Sequence, residues 1–256
     1  MTESIQQSIA VITGGSRGLG KSMALRLAER GVDSIISYHS AASEAQAVLS
    51  EIESKGRKCV ALRLDASDSS SFGAFSEAVQ RALADVWQRR NFDFLINNAG
   101  IGVYASLAQT SEAQFDELMK VHLKAPFFLT QTLLPLIVDG GRILNVSSGL
   151  SRFTFPGYGA YAAMKGGVEV LTRYLAKELG ARRISVNTLA PGAIETDFGG
   201  GVVRDDSQLN ALIASGIALG RVGLPDDIGR AVVMLLSPES AWINGQRIEV
   251  SGGQML

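Results

Sequence analysis

The chain has 256 residues, of which 46% are hydrophobic and 19% are charged, so it can bury a sizeable core and wholesale disorder is excluded. Lysine and arginine total 24 against 25 acidic residues, and the resulting net charge of −1 gives no support for binding nucleic acid or anionic lipid. Cys59 is the only cysteine, which excludes an intrachain disulfide and a cysteine-rich metal site.

The first residues, Met1–Ser8, are polar and include Glu3, whereas a secretory signal has an apolar central region. No apolar run approaches the roughly 18 residues that a membrane-spanning helix needs. We therefore expect a cytoplasmic protein that has no membrane partner.

Short apolar runs alternate with segments of helical periodicity along the chain, which predicts alternating strands and helices. The expected strands are Ile9–Thr13, Ser34–Tyr38, Cys59–Leu64, Phe92–Ile96, Arg142–Val146, Ile184–Leu189 and Arg247–Val250. The expected helices between them are Leu19–Arg30, Ser43–Ser54, Ser69–Arg90, Glu112–Val138, Tyr161–Leu179 and Pro225–Leu236. This order is typical of a doubly wound parallel sheet with helices on both faces, an α/β Rossmann fold in a single domain over residues 1–256. Ala193–Ser215, which contains Gly199–Gly201, is expected to be a mobile loop.

A glycine-rich segment, Thr13–Gly20, joins the first predicted strand to the first predicted helix. Glycines permit a tight turn there, so that backbone N–H groups and the positive end of the helix can approach a pyrophosphate. The spacing is G-x-x-x-G-x-G rather than the more usual G-x-G-x-x-G. The position in an alternating α/β chain nevertheless predicts dinucleotide binding by Gly14, Ser16, Arg17, Gly18, Leu19 and Gly20.

The end of the second predicted strand indicates which dinucleotide is bound. A carboxylate at this place typically binds the ribose of NAD, but the sequence has His39 and Ser40 there and no acid. Asp33 lies about 20 residues after Gly14, but before the strand and hence at the opposite edge of the sheet. Together with Arg17, these groups favour the 2′-phosphate of NADP over NAD. The alternative is that Arg17 and His39 are merely solvated.

Tyr161 and Lys165 are four residues apart in a predicted helix and therefore share one of its faces. An isolated pair of this kind is an ordinary surface pair, but small residues surround this one, and Ser148 follows the fifth predicted strand at the edge where open α/β sheets bind ligands. A nearby ammonium lowers the pKa of a phenol from its usual value of about 10. A serine hydroxyl can hold a carbonyl oxygen or an alkoxide. These groups predict hydride transfer between a nicotinamide and a carbonyl carbon.

The order and spacing of these motifs resemble the short-chain dehydrogenase/reductase family in its compact form of about 250 residues. The matching segments are Thr13–Gly20, Asn97–Gly100, Ser148, Tyr161–Lys165 and Pro191–Gly192. The resemblance implies that Tyr161 is the general acid or base and that Ser148 orients the substrate oxygen. It also implies that Lys165 binds the nicotinamide ribose and tunes Tyr161.

The same resemblance implies further contacts to the cofactor along the carboxyl edge of the sheet. The residues implied are Asn98, Ala99 and Gly100 near the adenosine ribose, Asp65 and Ala66 at the adenine, Pro191 and Gly192, and Ile194 and Thr196 at the nicotinamide carboxamide. The family also pairs its helices across a dimer interface, usually within a tetramer. The surplus of apolar residues in Glu112–Val138, such as Phe127 and Phe128, suits such an interface, and deeper burial within one chain is the alternative.

One position departs from the family pattern, because the usual asparagine of a V-N-L segment is replaced by His122. That asparagine helps to hold a water near the lysine mainly through its backbone carbonyl, which a histidine also has. We expect His122 to fill space. The alternative is a catalytic role in a proton relay, since a histidine can titrate near neutral pH.

The substrate class is less constrained by the sequence. The overall pattern resembles 3-oxoacyl-[acyl-carrier-protein] reductases, but Leu136–Asp139 lacks the basic residues that would contact an acidic carrier. An apolar pocket lined by Phe153, Phe155, Tyr158, Val103 and Tyr104 is conceivable, although aromatic residues more often belong to the core.

We therefore expect an NADPH-dependent enzyme that acts on a free small-molecule ketone, aldehyde or alcohol. The replaced asparagine suggests one alternative, a non-enzymatic NADP-binding sensor or scaffold. The presence of Ser148, Tyr161 and Lys165 argues against it, because a sensor does not need them.

Overall fold

The computed structural model describes residues 7–256, and the expectation for Met1–Ser8 therefore falls almost entirely outside the described residues. Seven parallel strands form one sheet in the order β3–β2–β1–β4–β5–β6–β7. The strands are β1 Ile9–Ile12, β2 Asp33–Tyr38, β3 Cys59–Arg63, β4 Phe92–Asn97, β5 Ile137–Val146, β6 Ser185–Pro191 and β7 Arg247–Val250. The helices are α1 Gly18–Ala28, α2 Ala42–Ser54, α3 Phe72–Ala82, α4 Glu112–Met119, α5 Ala125–Leu133, α6 Gly159–Glu178, α7 Val202–Asp205, α8 Ser207–Ser215 and α9 Pro225–Leu236.

The central strand β1 separates two hydrophobic cores. Because side chains alternate along a strand, Ile9 and Val11 pack with α3, α5 and α6, whereas Ala10 and Ile12 pack with α1, α2 and α9. All four residues are buried. Helices therefore cover both faces of the sheet, and the predicted doubly wound Rossmann fold is confirmed.

The strand order reverses between β1 and β4, which opens a crevice at the carboxyl ends of these two strands. The predicted phosphate segment follows β1, and the Asn97–Gly100 segment begins at the end of β4. Both motifs consequently lie at the place where open α/β sheets bind ligands.

The prediction of one long helix over Glu112–Val138 is wrong in two respects, because the helix is interrupted and it ends earlier than predicted. A π-helical turn, Lys120–Lys124, separates α4 from α5, and β5 begins at Ile137 rather than at Arg142. Leu136 and Ile137 are buried at the start of the strand, so their apolar character reflects the sheet rather than an amphipathic helix. Tertiary burial overrides the helical periodicity at this boundary.

The predicted loop Ala193–Ser215 is also partly wrong, because its second half contains α7 and α8. Asp206 begins α8 as an N-cap whose carboxylate accepts the N–H groups of Gln208 and Leu209 at 2.9 and 3.0 Å. The three glycines Gly199–Gly201 do adopt positive φ angles of 63°, 82° and 79°. The irregular part of the segment is thus confined to its first half.

Candidate active site

The glycine-rich segment is fixed to the end of β4 by side-chain hydrogen bonds. The Thr13 hydroxyl accepts the N–H groups of Asn98 and Ala99, both at 2.9 Å. The Asn98 amide donates back to the carbonyls of Thr13 and Gly14 at 2.9 and 3.1 Å. A Cβ at Gly20 would lie 2.2 Å from the Gly14 oxygen, so the turn requires glycine there.

The N-terminus of α1 presents backbone amides to the crevice between β1 and β4. Arg17 is the exposed N-cap residue, and within residues 7–256 no side chain caps this helix and no acid lies in its first turn. Free N–H groups and the helix dipole make such a terminus a binding site for phosphate groups. The cradle formed with Gly14 and Gly18, whose φ angles are +65° and +53°, fits the pyrophosphate of a dinucleotide.

The residues expected at the adenine end lie together beyond β2 and β3. His39 Nε2 is 3.5 Å from Asp65 Oδ2, and Ser40 is exposed beside His39. Asp65 also accepts the N–H and the hydroxyl of Ser67, and these hydrogen bonds lower the pKa of its carboxyl. His39 is therefore next to the Asp65 carboxylate, a contact that the sequence did not reveal. Ala66, the residue after Asp65, is partly buried.

Asp33 is the first residue of β2 and lies at the opposite edge of the sheet from the cradle, as its position before the predicted strand Ser34–Tyr38 indicated. Its carboxylate accepts hydrogen bonds from the Lys58 N–H at 2.9 Å and the Trp87 indole at 2.7 Å. Asp33 has a structural role at the start of β2 and is not placed to contact a ribose at the carboxyl edge.

The segment after β6 meets the phosphate cradle from the other side. A Cβ at Gly18 would lie 3.8 Å from the Thr196 side chain. Pro191 ends β6, and a Cβ at Gly192 would lie 2.7 Å from Gln254 Oε1, which accepts the N–H of Ala193. Ile194, further along this segment, forms a bridge with Gly223. Of the two predicted nicotinamide contacts, Thr196 thus faces Gly18 of the phosphate cradle, and Ile194 packs against Gly223.

Tyr161 and Lys165 lie on the inner face of α6, and both are buried. Lys165 Nζ donates to the Val146 carbonyl at 2.7 Å and lies 5.6 Å from the centre of the Tyr161 ring. Ser148 begins the segment after β5, where its hydroxyl accepts the N–H of Leu150 at 3.2 Å. The structure therefore brings together the three groups that the sequence singles out.

The pKa of Tyr161 differs from the expected lowering. Burial raises the pKa of the phenol well above its usual value, and the Ser148 hydroxyl beside it acts in the opposite direction. Burial also lowers the pKa of Lys165 to about 7. Desolvation is the largest cause of both shifts, because both groups are enclosed.

His122 is 1% exposed and lies in the π-helical turn between α4 and α5. Its Nε2 lies 2.8 Å from the Ile101 carbonyl oxygen and 3.2 Å from the Ile101 nitrogen, and Nδ1 has no hydrogen-bond partner in the part of the chain that the structure describes. Its ring meets that of Tyr161 edge to face at 5.0 Å. Burial and the nearby charge of Lys165 lower the pKa of His122 to about 2. The imidazole is consequently neutral at physiological pH.

Two aromatic side chains of this region contact the Tyr161 ring, and two more pack on one of them. Tyr158 and Phe198 approach its ring with centroid distances of 6.3 and 5.6 Å. Tyr104 and Phe155 pack against Tyr158 at 5.4 and 6.2 Å. Phe198 was missed in the sequence because it adjoins the glycines of a segment that lacks any periodicity.

The other two residues of the apolar pocket suggested by the sequence, Phe153 and Val103, lie outside this aromatic group. Phe153 packs beneath Gly149, where a Cβ would lie 2.6 Å from its ring, and contacts the Arg152 guanidinium. Val103 is partly buried against the small cluster of Leu118, Tyr161 and Met164. The aromatic group next to Tyr161 therefore consists of Tyr158 and Phe198, which contact its ring, and of Tyr104 and Phe155, which pack on Tyr158.

Comparisons with known proteins find relatives that match this chain along nearly its whole length. A family model described as enoyl-(acyl carrier protein) reductase matches residues 14–255. The hydroxynaphthalene reductase-like protein Arp2 of Metarhizium brunneum is 34% identical over 98% of this chain and 96% of its own length. The tetrahydroxynaphthalene reductase PfmaG of Pestalotiopsis fici is 35% identical over 96% of this chain and 90% of its own length.

Among solved structures, the landomycin C-6 ketoreductase LanV with bound NADP and rabelomycin is 32% identical to this chain. Its TM-score is 0.90, and the match covers 98% of each chain. The chain belongs to the short-chain dehydrogenase/reductase family, whose members are oxidoreductases.

Proposed function

We propose that this chain is an NADP(H)-dependent ketoreductase that transfers hydride between the nicotinamide and the carbonyl carbon of a planar, fused-ring aromatic ketone. The observation that carries the substrate class is the group of aromatic side chains around Tyr161, since rings offer favourable stacking and edge-to-face contacts to an aromatic substrate. The named activities of the relatives, on hydroxynaphthalenes and as ketoreductases, support the same class.

The uncapped N-terminus of α1 would bind the pyrophosphate, and Arg17 and His39 would contact the 2′-phosphate. NADPH supplies the hydride when it is bound. His39 lies beside Asp65, so the imidazole and Asp65 together would face the adenosine end of the cofactor. A bound NADP in the LanV structure supports this choice of cofactor.

Tyr161 would donate its proton to the carbonyl oxygen as the carbon receives hydride. The phenol is protonated at neutral pH and can therefore donate, whereas the rise in its pKa on burial makes it a weaker acid that depends on its neighbours to accept the resulting charge. Ser148 would hold the same oxygen through its hydroxyl. Lys165, which the Val146 carbonyl holds in place, would bind the nicotinamide ribose and stabilise the phenolate left after proton transfer.

The test compares Tyr161→Phe with Tyr174→Phe, a matched change at an exposed position of the same helix. With NADPH and a bicyclic aromatic ketone such as 2-tetralone, we expect Tyr161→Phe to lose about a hundredfold to ten-thousandfold in kcat. Tyr174→Phe should retain the kcat of the unmodified chain. Near-native turnover by Tyr161→Phe would contradict the proposed mechanism. NADPH binding without turnover by the unmodified chain would favour the sensor or scaffold alternative.

We also propose that the chain assembles into a homodimer or a homotetramer. Part of the apolar surplus in the predicted helix is buried within the chain, as Leu129 and Leu133 are, but Phe127 and Phe128 stay 45% and 40% exposed. Other apolar side chains are exposed on the neighbouring helices α4 and α6, namely Phe115, Val170 and Tyr174. Such a face suits pairing with a second copy.

No helix in residues 7–256 is both long and apolar enough to span a bilayer, and a cytoplasmic location stays a prediction.

A further inference from the structure

The carboxylate of Glu169 connects α6 to the segment that carries Ser148. Tyr161, Lys165 and Glu169 follow one another at intervals of four residues and thus share a face of the helix. Glu169 Oε1 accepts the Ser147 hydroxyl at 2.7 Å and lies 2.5 Å from the Ser151 hydroxyl. The helix that carries the tyrosine and the lysine therefore also holds the chain on both sides of Ser148.

Arg247 of β7 strengthens this connection. Its Nε donates to Glu169 Oε1 at 2.8 Å, and its Nη2 donates to the Ser148 carbonyl at 3.3 Å. The side chains of Glu169 and Arg247 are only 14% and 22% exposed. Hydrogen bonds between charged groups are stronger than neutral ones, and partial burial protects this pair from screening by salt.

The network continues to the C-terminal end of the chain. Arg247 also contacts Glu249 at 2.8 Å, and Glu249 binds both Nε and Nη2 of Arg152 at 2.7 and 2.8 Å. These partners, Arg152 first, lower the pKa of Glu249 to about 2, so its carboxylate stays ionised. Arg152 in turn donates to the carbonyls of Gln254 and Met255 at 2.7 and 3.3 Å. The segment after Ser148 is thus held by α6, β7 and the last residues of the chain.

We propose that Glu169 and Arg247 are positioning residues that hold the Ser148 hydroxyl where carbonyl reduction needs it, an inference that rests on the proposed function. They contact Ser147, Ser151 and the main chain of Ser148 rather than the phenol of Tyr161. Their effect on the reaction is therefore indirect. A displacement of a catalytic group by about 1 Å can cost on the order of a hundredfold in rate, even when the change lies outside the reacting groups.

The experiment uses Glu169→Gln in the full chain, because glutamine keeps the shape and an acceptor oxygen but removes the charge. The matched control is Asp93→Asn, near the start of β4 and hence toward the opposite edge of the sheet from Ser148. Asp93 accepts the Ile9 N–H at 2.8 Å and pairs with Arg89 at 2.9 Å, and its side chain is 20% exposed. Both changes thus neutralise a partly buried carboxylate that binds an arginine.

With NADPH and 2-tetralone, we expect Glu169→Gln to lower kcat by about tenfold to a hundredfold. Glu169 contacts neither ligand in the proposed arrangement, so the Kd for NADPH and the KM for the ketone should stay within about twofold of the unmodified chain, and the loss should fall on kcat. Arg247→Met should reproduce this pattern, and Asp93→Asn should lose stability without losing kcat. An unchanged kcat in Glu169→Gln, or a fall no larger than in Asp93→Asn, would overturn the inference.

Hydrogen exchange separates this inference from the proposed function, because it needs no substrate. We expect the amides of residues 147–153 to exchange faster in Glu169→Gln than in Asp93→Asn, while those of α6 are unaffected. If the unmodified chain reduces no ketone, the proposed function fails and the exchange result alone decides the positioning role. Unchanged exchange in residues 147–153 would then overturn it.

Discussion

His122 shows how burial decides what a titratable side chain can do. A proton relay through an imidazolium requires a pKa near neutral pH, whereas burial and Lys165 lower the pKa of His122 to about 2. A neutral imidazole packed edge to face on Tyr161 supports the ring without exchanging protons with solvent near pH 7. The structure therefore favours the space-filling interpretation of this departure from the family pattern.

The buried neutral imidazole makes the folded chain sensitive to acid. The pKa of His122 rises from about 2 in the folded state to its ordinary value of 6.5 on unfolding, so its contribution to stability is present above pH 6.5 and is lost as the pH falls. Between pH 6.5 and pH 4.5 we expect the unmodified chain to lose about 2 kcal/mol more unfolding free energy than His122→Asn. Denaturant unfolding at the two pH values measures this difference.

The other histidine of the chain, His39, provides the control because its side chain is 63% exposed. We expect His39→Asn to keep the acid sensitivity of the unmodified chain. If His122→Asn lost as much stability on acidification as His39→Asn, His122 would not be held neutral by burial.

Arg17 should determine the choice between the two nicotinamide cofactors. It is exposed at the N-terminus of α1, so Arg17→Ala should leave the fold intact and remove one charged partner of the 2′-phosphate. We expect the affinity for NADPH to fall by roughly tenfold or more, while that for NADH stays unchanged. Lys21→Ala is the control, since Lys21 lies one turn further along α1 and pairs with Glu51 at 3.0 Å. Equal affinities of the unmodified chain for NADPH and NADH would contradict the assignment.

At the scale of elements, the turn between β1 and α1 depends on close backbone packing. A Cβ at Gly20 would lie 2.2 Å from the Gly14 oxygen and 2.7 Å from the Asn98 amide. We expect Gly20→Ala to displace the turn and to weaken NADPH binding by more than about a hundredfold, as a fluorescence titration would show.

Gly73→Ala in α3 is the matched control, because among the described residues nothing lies within 4 Å of a Cβ built there. It should leave NADPH binding unchanged and raise the unfolding free energy by about 0.4–1 kcal/mol. NADPH binding by Gly20→Ala at the native affinity would show that this turn does not form the phosphate site.

The strands and the turn motifs were predictable from the sequence, because both depend on local patterns. Runs such as Ile9–Ile12 are apolar at every position, as a strand between two cores must be. Helix continuity was less predictable, since the π-helical turns Leu83–Trp87 and Lys120–Lys124 depend on packing against distant residues. For the same reason the sequence did not reveal Phe198 over Tyr161, or Glu169 between Ser147 and Arg247.

At the scale of the whole molecule, the parallel sheet gathers the candidate site from distant parts of the sequence. The phosphate cradle follows β1, and the Asn98 segment follows β4. Ser148 follows β5, and the Pro191–Thr196 segment begins at the end of β6. Helix α6 adds Tyr161 and Lys165. The single-domain division over residues 1–256 stays a prediction, which the continuous sheet supports. Because the motifs meet at one edge of the sheet, segments that are far apart in the sequence could together predict hydride transfer with a nicotinamide cofactor.

Isotopic labelling shows whether this site transfers hydride from NADPH to a ketone. We would incubate the full chain with NADPH deuterated at both C4 positions of the nicotinamide and with 2-tetralone, and analyse the product by mass spectrometry and proton NMR. We expect an alcohol with one deuterium on the carbinol carbon, formed in equal amount to the NADPH consumed. NADPH consumption that yields no deuterated alcohol, or no consumption with any ketone of a bicyclic aromatic panel, would contradict it.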